Sequence, residues 1–381
     1  MTIMLEDSTL REGEQSPGVA FSKPEKVEIA RILSEIGVHA LEVGIPIMGG
    51  PEKEAVLAIL DERLPIRLIG WNRGRLEDLE ASFDCGLDSV HIGLPASDHH
   101  IEQKFHRTRD WVVETMQELV GYAKGQGAWV SVSAEDSGRA SLEFLVEYAH
   151  AVKEAGADRL RMSDTIGVLD PFRAQDLFAT VVGETGLAVQ AHMHNDFGLA
   201  TANTLAAVKG GARHIHVTVN GLGERAGIAA LDEVVLGLKQ HLGIDVGVRT
   251  EGLRRIAEFV AAASNRPIPA NKPITGAAIF EHESGIHVDG VLKVPDAFEP
   301  FPPELVGATR QIVIGKHSGS GALQHVLHTQ GVEVERSELD DLLTAVRYAA
   351  TERKGRLSGA DLVELYEAER AEVSLNGADR S

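Results

Sequence analysis

Short runs of apolar and β-branched residues recur along the chain at intervals of roughly 25 to 40 residues, and each is followed by apolar positions at helical spacing. Strands are predicted over Ile3–Asp7, Ala40–Ile45, Arg67–Trp71, Ser89–Pro95, Trp129–Asp136, Arg159–Asp164, Val189–Asn195 and His214–Asn220. Before most of them a helix ends in glycine and the next strand begins at once, as in IGVHALEV, CGLDSVHI, QGAWVSV, AGADRLRM, TGLAVQA and GGARHIHV. Glycine adopts the left-handed conformation that ends a helix at little cost, so this punctuation marks a repeated helix-to-strand turn. After the first strand, Ser22, Pro24 and Glu25 offer an N-cap, an early proline and a capping-box acid ahead of the stripe Val27, Ala30, Ile32, Leu33 and Ile36. This run of βα units has no glycine-rich dinucleotide loop after its first strand. It predicts an α/β fold, a (β/α)8 TIM barrel over residues 1–265, in preference to an open doubly wound sheet.

Past residue 265 the pattern changes. NRPIPANKP is proline-rich and turn-like, so residues 266–320 read as a small linker subdomain closing the active site and residues 321–381 as a C-terminal helical region. At 381 residues the chain is long enough to bury its core without disulfides, and its one cysteine, Cys85, has no partner within the chain. With 37 basic and 57 acidic residues the net charge is −20, which argues against a nucleic-acid partner and requires any anionic substrate to meet a local cation. The start MTIMLEDSTL lacks a secretory pattern, and no apolar run approaches the ~18 residues of a membrane span, so a cytoplasmic location without membrane insertion is expected.

The active site of such a barrel lies at the C-terminal ends of its strands, and here those ends are polar. The first carries Asp7, Arg11 and Glu12, the fifth Glu135 and Asp136, the sixth Asp164 and Thr165, the seventh His192, His194 and Asn195, and the eighth Asn220. Residues two apart on a strand point the same way, so His192 and His194 can present two imidazoles to one ion. A carboxylate from the first strand, Glu12 or Asp7, would complete a facial set that leaves positions open for a bidentate ligand.

DSTLREGEQSPGVAF, HMHNDFGLATANTLAAVKGGA, NGLGERAGIAALDEVV, HESGIHVDG and IGKHSG occur in this order. Together they resemble the homocitrate synthase and isopropylmalate synthase family of metal-dependent barrels over nearly the whole chain, and most of all the homocitrate synthases associated with nitrogen fixation. The resemblance implies an acyltransferase that condenses acetyl-CoA with 2-oxoglutarate to give homocitrate and CoA. Alternatives are phosphonopyruvate, 2-oxoisovalerate or pyruvate as the oxo acid, or a metal-dependent lyase on the same barrel. It further implies that Glu12, His192 and His194 hold a divalent ion (Mg, Mn or Zn) and that Arg11 faces the oxo group. His287, assisted by Glu135, would be the base, reaching the mouth from the partner subunit of a homodimer.

Arg73 and Arg161 are candidates to bind the distal carboxylate of the oxo acid, with Ser133 and Thr165 on the pocket wall. Asp164, Asn195 and Asn220 read as orienting groups. Three departures from the family pattern are visible: Phe298 stands where a tyrosine is usual, Ile228 where several members have asparagine, and Ser131 where the lysine-pathway enzymes have arginine.

Overall fold

The computed structural model describes residues 2–378, leaving residues 379–381 of the expected helical tail outside the described part. Residues up to Ile268 form one compact unit and those from Pro269 a second. In the first unit eight parallel strands close into a barrel in sequence order. They are β1 (Met4–Asp7), β2 (Ala40–Gly44), β3 (Arg67–Arg73), β4 (Ser89–Gly93), β5 (Trp129–Ala134), β6 (Arg159–Asp164), β7 (Val189–Met193) and β8 (His214–Val217). Closure is made by β1 against β8, with Glu6 beside His216 in register. The strands β4, β5, β7 and β8 stop before Pro95, Asp136, Asn195 and Asn220, which leave the ladder for the loops of the mouth. The expected barrel is therefore observed, with most strands shorter than expected, β6 (Arg159–Asp164) as expected and β3 extended to Arg73.

Eight helices, one after each strand, surround it: α1 (Lys23–Ile36), α2 (Gly50–Asp61), α3 (Leu76–Asp84), α4 (Arg109–Gly125), α5 (Leu142–Glu154), α6 (Pro171–Thr185), α7 (Ala200–Lys209) and α8 (Leu231–Leu242). The start of α1 is the expected capping box between Ser22 and Glu25, and its end is Gly37 at φ 94°. A further helix, α9 (Leu253–Ser264), completes this unit.

Alternate strand residues point to opposite faces. The outward set, including Leu41, Val90, Val132, Leu160, Ala191 and Ile215, is buried under the helices and supplies the aliphatic core. The inward set departs from the branched aliphatics usual in such barrels. Here Glu6, Glu42, His91, Arg159, Gln190 and His216 fill the lumen, all 1% exposed or less. Buried charges persist only when paired, and these are: Arg159 reaches Glu6 at 2.6 Å, and Arg161 reaches Glu6 at 2.7 Å and Glu42 at 2.9 Å. The guanidiniums of Arg67 and Arg159 both approach the Trp129 ring, 4.5 and 4.9 Å from its centroid.

The second unit contains α10 (Gly285–Lys293), α11 (Ser320–Thr329), α12 (Leu339–Arg353) and α13 (Gly359–Ala378). Val288 and Ile314, from the expected linker subdomain, share one hydrophobic core with Leu323, Leu342, Val346 and Leu362 of the expected helical region. No helix among the described residues is long and apolar enough to cross a membrane.

Candidate active site

The loop after β1 folds back over the strand end because Ser8 Oγ donates to Glu42 Oε2 at 2.6 Å and accepts from the Glu12 backbone N–H at 3.2 Å. This sets Arg11 and Glu12, both buried, over the lumen. Arg11 pairs with Glu12 through Nη1, lies 3.4 Å from Glu42 through Nε, and stacks 4.5 Å above the centroid of Trp71. The glycine-rich loop after β8 encloses Glu12 from the other side. Gly223 has φ +158°, and a Cβ there would sit 3.3 Å from Glu12 Oε1, so a larger residue would crowd the carboxylate. The Glu224 N–H donates to the same oxygen at 3.3 Å.

His192 and His194 project together from the end of β7, as their spacing predicts, with their Nε2 atoms 3.2 Å apart. His194 Nε2 lies 4.0 Å from Glu12 Oε1. One donor atom from each of Glu12, His192 and His194 falls within 4.8 Å of the others, and all three residues are buried. Burial, reinforced by His216, His194, Arg161 and Arg11, holds His192 well below the usual imidazole range, so its ring is neutral and offers a lone pair. Burial also lowers His194, against the opposing pull of Glu12. Two neutral imidazoles and one carboxylate converging on one point suit a divalent ion.

Asp7, the other carboxylate considered, stands apart from this set. Glu6 takes the inward position on β1, so Asp7 points outward, where its Oδ1 accepts from the Thr9 N–H at 2.7 Å. Burial pushes its carboxyl from the ordinary 3.8 up to about 7, with Thr9 opposing.

A cavity of about 210 Å³ opens over the donors, lined by Arg11, Glu12, Trp71, Lys104, Ser133, Glu135, Arg161, Ser163 and Thr165 together with the two histidines, Gln15, Glu224 and Arg225. Drug-sized ligands occupy roughly 300–1,000 Å³, so this space suits a small acid. Ser133 Oγ bonds His91 Nε2 at 2.7 Å, and Thr165 Oγ1 accepts the Asp136 N–H at 2.8 Å. Glu135 is held above the usual carboxylate range by burial, with Lys104, Arg11 and Arg161 pulling the other way.

Arg73 is not at this mouth, contrary to expectation. Its guanidinium is half exposed and grips the buried Asp78 of α3 in a fork, 2.8 Å for both Nε and Nη2. A buried carboxylate one turn away, which also takes the Arg73 N–H, holds the side chain at the rim. Arg161 does line the cavity, with Glu6 and Glu42 beneath it and its Nε on Gln190 Oε1 at 2.6 Å. The orienting candidates serve loop closure: Asp164 accepts the Val168 and Leu169 N–H groups, Asn195 caps Ala200, and Asn220 donates to Ala257 O. Ile228 is buried and pairs with His194 in an isolated bridge. Trp71, Lys104 and Gln15 were not anticipated. Trp71 carried a signal in its strand parity, whereas Lys104 arrives on the π-helical turn His99–Lys104, which no periodicity announces.

In the second unit His287 is exposed on α10, its ring 4.7 Å from that of Phe298 and tilted 32°. Phe298 thus supplies a ring face beside His287 but no hydroxyl.

Comparison with known proteins agrees with this architecture. The family described as HMGL-like matches residues 2–260, and the one described as homocitrate synthase post-HMGL domain-like matches residues 274–354. The chain is 49% identical over 365 residues to 2-isopropylmalate synthase 2 of Caldanaerobacter subterraneus subsp. tengcongensis, covering 96% of this chain and 95% of the relative. It is 46% identical over 364 residues to 2-phosphonomethylmalate synthase of Streptomyces rubellomurinus (96% and 98%), and 44% identical over 368 residues to homocitrate synthase 1 of Nostoc sp. (97% and 98%). Among solved structures, hydroxymethylglutaryl-CoA lyase from Pseudomonas aeruginosa shares the fold, with a TM-score of 0.63 at 20% identity over 70% of this chain and 94% of that one. The chain belongs to the metal-dependent HMGL-like family, within the group of acetyl-CoA-condensing synthases whose barrel is followed by a homocitrate synthase post-HMGL domain.

Proposed function

We propose that this protein condenses acetyl-CoA with a 2-oxo acid whose far end carries a second anionic group, with 2-oxoglutarate as the first reading, giving homocitrate and CoA. The observation that carries this reading is the lining of the mouth: among the described residues it holds Arg11, Lys104, Arg161 and Arg225 and no aliphatic side chain. A branched oxo acid would set its methyl groups against charged walls and forgo roughly 0.8 kcal/mol for every methylene left unburied. A distal carboxylate can meet Lys104 or Arg161 on a wall that also carries Glu12, Glu135 and Glu224. Phosphonopyruvate is the second reading, favoured by the 46% identity to 2-phosphonomethylmalate synthase and by the same cations, which suit a phosphonate equally.

The chemistry a divalent ion held by Glu12, His192 and His194 supplies when bound is Lewis-acid polarisation of the 2-oxo group. Arg11 sets a guanidinium at the same edge of the cavity, held in place by Glu12, Glu42 and the face of Trp71. As the new carbon–carbon bond forms, negative charge moves onto the former oxo oxygen, and a fixed guanidinium stabilises it without reorganisation. The carbon nucleophile requires removal of a proton from the acetyl methyl, a weak carbon acid. His287 is the proposed base and Glu135 its proposed assistant. Water then cleaves the thioester and frees CoA.

Because His287 lies in the second unit, we place the base of one site on the partner chain of a homodimer. The test mixes two variants, Glu12→Gln and His287→Ala, in an assay of CoA release from acetyl-CoA and 2-oxoglutarate. Each alone is expected to be inactive, and subunit exchange is expected to restore about half of the sites in each mixed dimer, since one site there receives both intact residues. No recovery despite demonstrated exchange would show that each chain supplies its own base.

A further inference from the structure

We infer that His216 is a positioning residue for the metal ligand His192, setting which ring nitrogen of His192 faces the ion. The inference rests on the ligand set proposed above. His216 is completely buried in the lumen, between β1 and β7. Its Nδ1 lies 2.6 Å from His192 Nδ1, and the two rings are 4.9 Å apart with a 37° tilt. On its other side, His216 Nε2 is 3.4 Å from both Glu6 Oε1 and Glu42 Oε2.

Proton counting then determines the arrangement. Two ring nitrogens at 2.6 Å share one hydrogen, because two N–H groups pointing at each other would collide. For His192 to turn the lone pair of Nε2 toward His194 and Glu12, its own hydrogen must sit on Nδ1, and His216 Nδ1 must accept it. The hydrogen of His216 is thereby placed on Nε2, between two carboxylate oxygens that favour a donor there. The chain of contacts runs from Glu6 and Glu42 through His216 to His192 and the ion. It lengthens by one ring the usual pairing of a metal-bound histidine with a carboxylate.

Glu6, Glu42 and His216 also satisfy a distance rule for an ion of their own, each offering an atom within 4.8 Å of the others. That position is electrostatically taken. Arg159 and Arg161 sit on these carboxylates at 2.6, 2.7 and 2.9 Å, and Arg11 lies 3.4 Å from Glu42. A dication added there would face three guanidiniums, so the cluster acts as an anchor for His216.

The test uses the full-length protein stripped by chelator and titrated with Mn2+ alone, followed by the loss of free-Mn2+ electron paramagnetic resonance. His192→Ala is the control for the ligand set and is expected to abolish binding. His216→Leu is expected to weaken Mn2+ binding by about 10- to 100-fold. His216→Asn, whose Oδ1 stands where the imidazole Nδ1 stood, is expected to restore most of it. Leucine binding as tightly as wild type, or asparagine as weakly as leucine, would overturn the positioning role while leaving the ligand set intact. An unchanged affinity in His192→Ala would instead remove the ligand set and the inference with it. If the leucine variant does not fold, the tautomer is read directly by 15N resonance of histidine-labelled, Zn2+-loaded wild type. The Nε2–H form of His216 is expected there, and the Nδ1–H form would contradict the proposal.

Discussion

Arg11→Lys is expected to lower the turnover of acetyl-CoA and 2-oxoglutarate by about 10²- to 10³-fold, the loss typical of removing one donor to a developing oxyanion. Lysine keeps the charge but not the planar fork. In the structure the Arg11 guanidinium meets Glu12 through Nη1 and Glu42 through Nε while its face lies on Trp71 at 4.5 Å, an arrangement an ammonium cannot reproduce. The contrast with binding is the check: Mn2+ affinity and the melting temperature are expected to change far less than turnover, because His192 and His194 are not contacted by Arg11 and lysine keeps a positive charge beside Glu12 and Glu42. Near wild-type turnover in this variant would remove Arg11 from the chemistry.

Arg159→Met is expected to destabilise the barrel by about 3–5 kcal/mol, the cost of breaking a buried ion pair by removing one partner. Arg159 does not line the mouth, so the loss is expected first in stability, in the lumen beneath the site. The pH dependence gives this prediction its sign. Burial alone would push the Glu6 carboxyl up, but Arg159, Arg161 and His216 outweigh it and bring it from the ordinary 4.5 down to about 2. A carboxyl depressed on folding contributes stability that is complete above pH 4.5 and fades as pH falls toward 2. At about 1.4 kcal/mol per unit that contribution is on the order of 3 kcal/mol. Without Arg159 the depression shrinks, so denaturation midpoints measured from pH 5 to about pH 2.5 should fall less steeply than in wild type. An equal or steeper slope would show that Glu6 does not depend on Arg159.

The barrel was legible because each βα unit repeats one local device, a helix-ending glycine followed at once by a strand, and local devices are what a sequence displays. His192 and His194 were legible for the same reason, since strand alternation alone places them side by side. The choice between Glu12 and Asp7 was not, because it depends on Glu6 taking the inward position and meeting Arg159 across the lumen at 2.6 Å. The polar lumen left a trace that is clear in retrospect. SVHIG, WVSVSA, RLRMSD and HIHV alternate polar with aliphatic residues, whereas strands buried on both faces usually read as near-continuous hydrophobic runs. Arg73 shows the reverse failure: it follows Trp71 by two positions and so shares its inward parity, yet Asp78, five residues on, holds its guanidinium at the rim. Val288 and Leu323, on either side of residue 320, pack in one core, a long-range contact with no local signature.

The central claim is that the mouth selects a 2-oxo acid with a charged far end. The direct measurement is the ratio of kcat/KM for 2-oxoglutarate to that for 2-oxoisovalerate, followed by free CoA release with Mn2+ present and again after chelation. A site whose buried polar groups lose their partner typically discriminates far more strongly than one that loses a methylene, so a ratio on the order of 10² or more is predicted, with both activities abolished by chelation. A ratio at or below one, or activity that survives complete removal of the ion, would contradict the account.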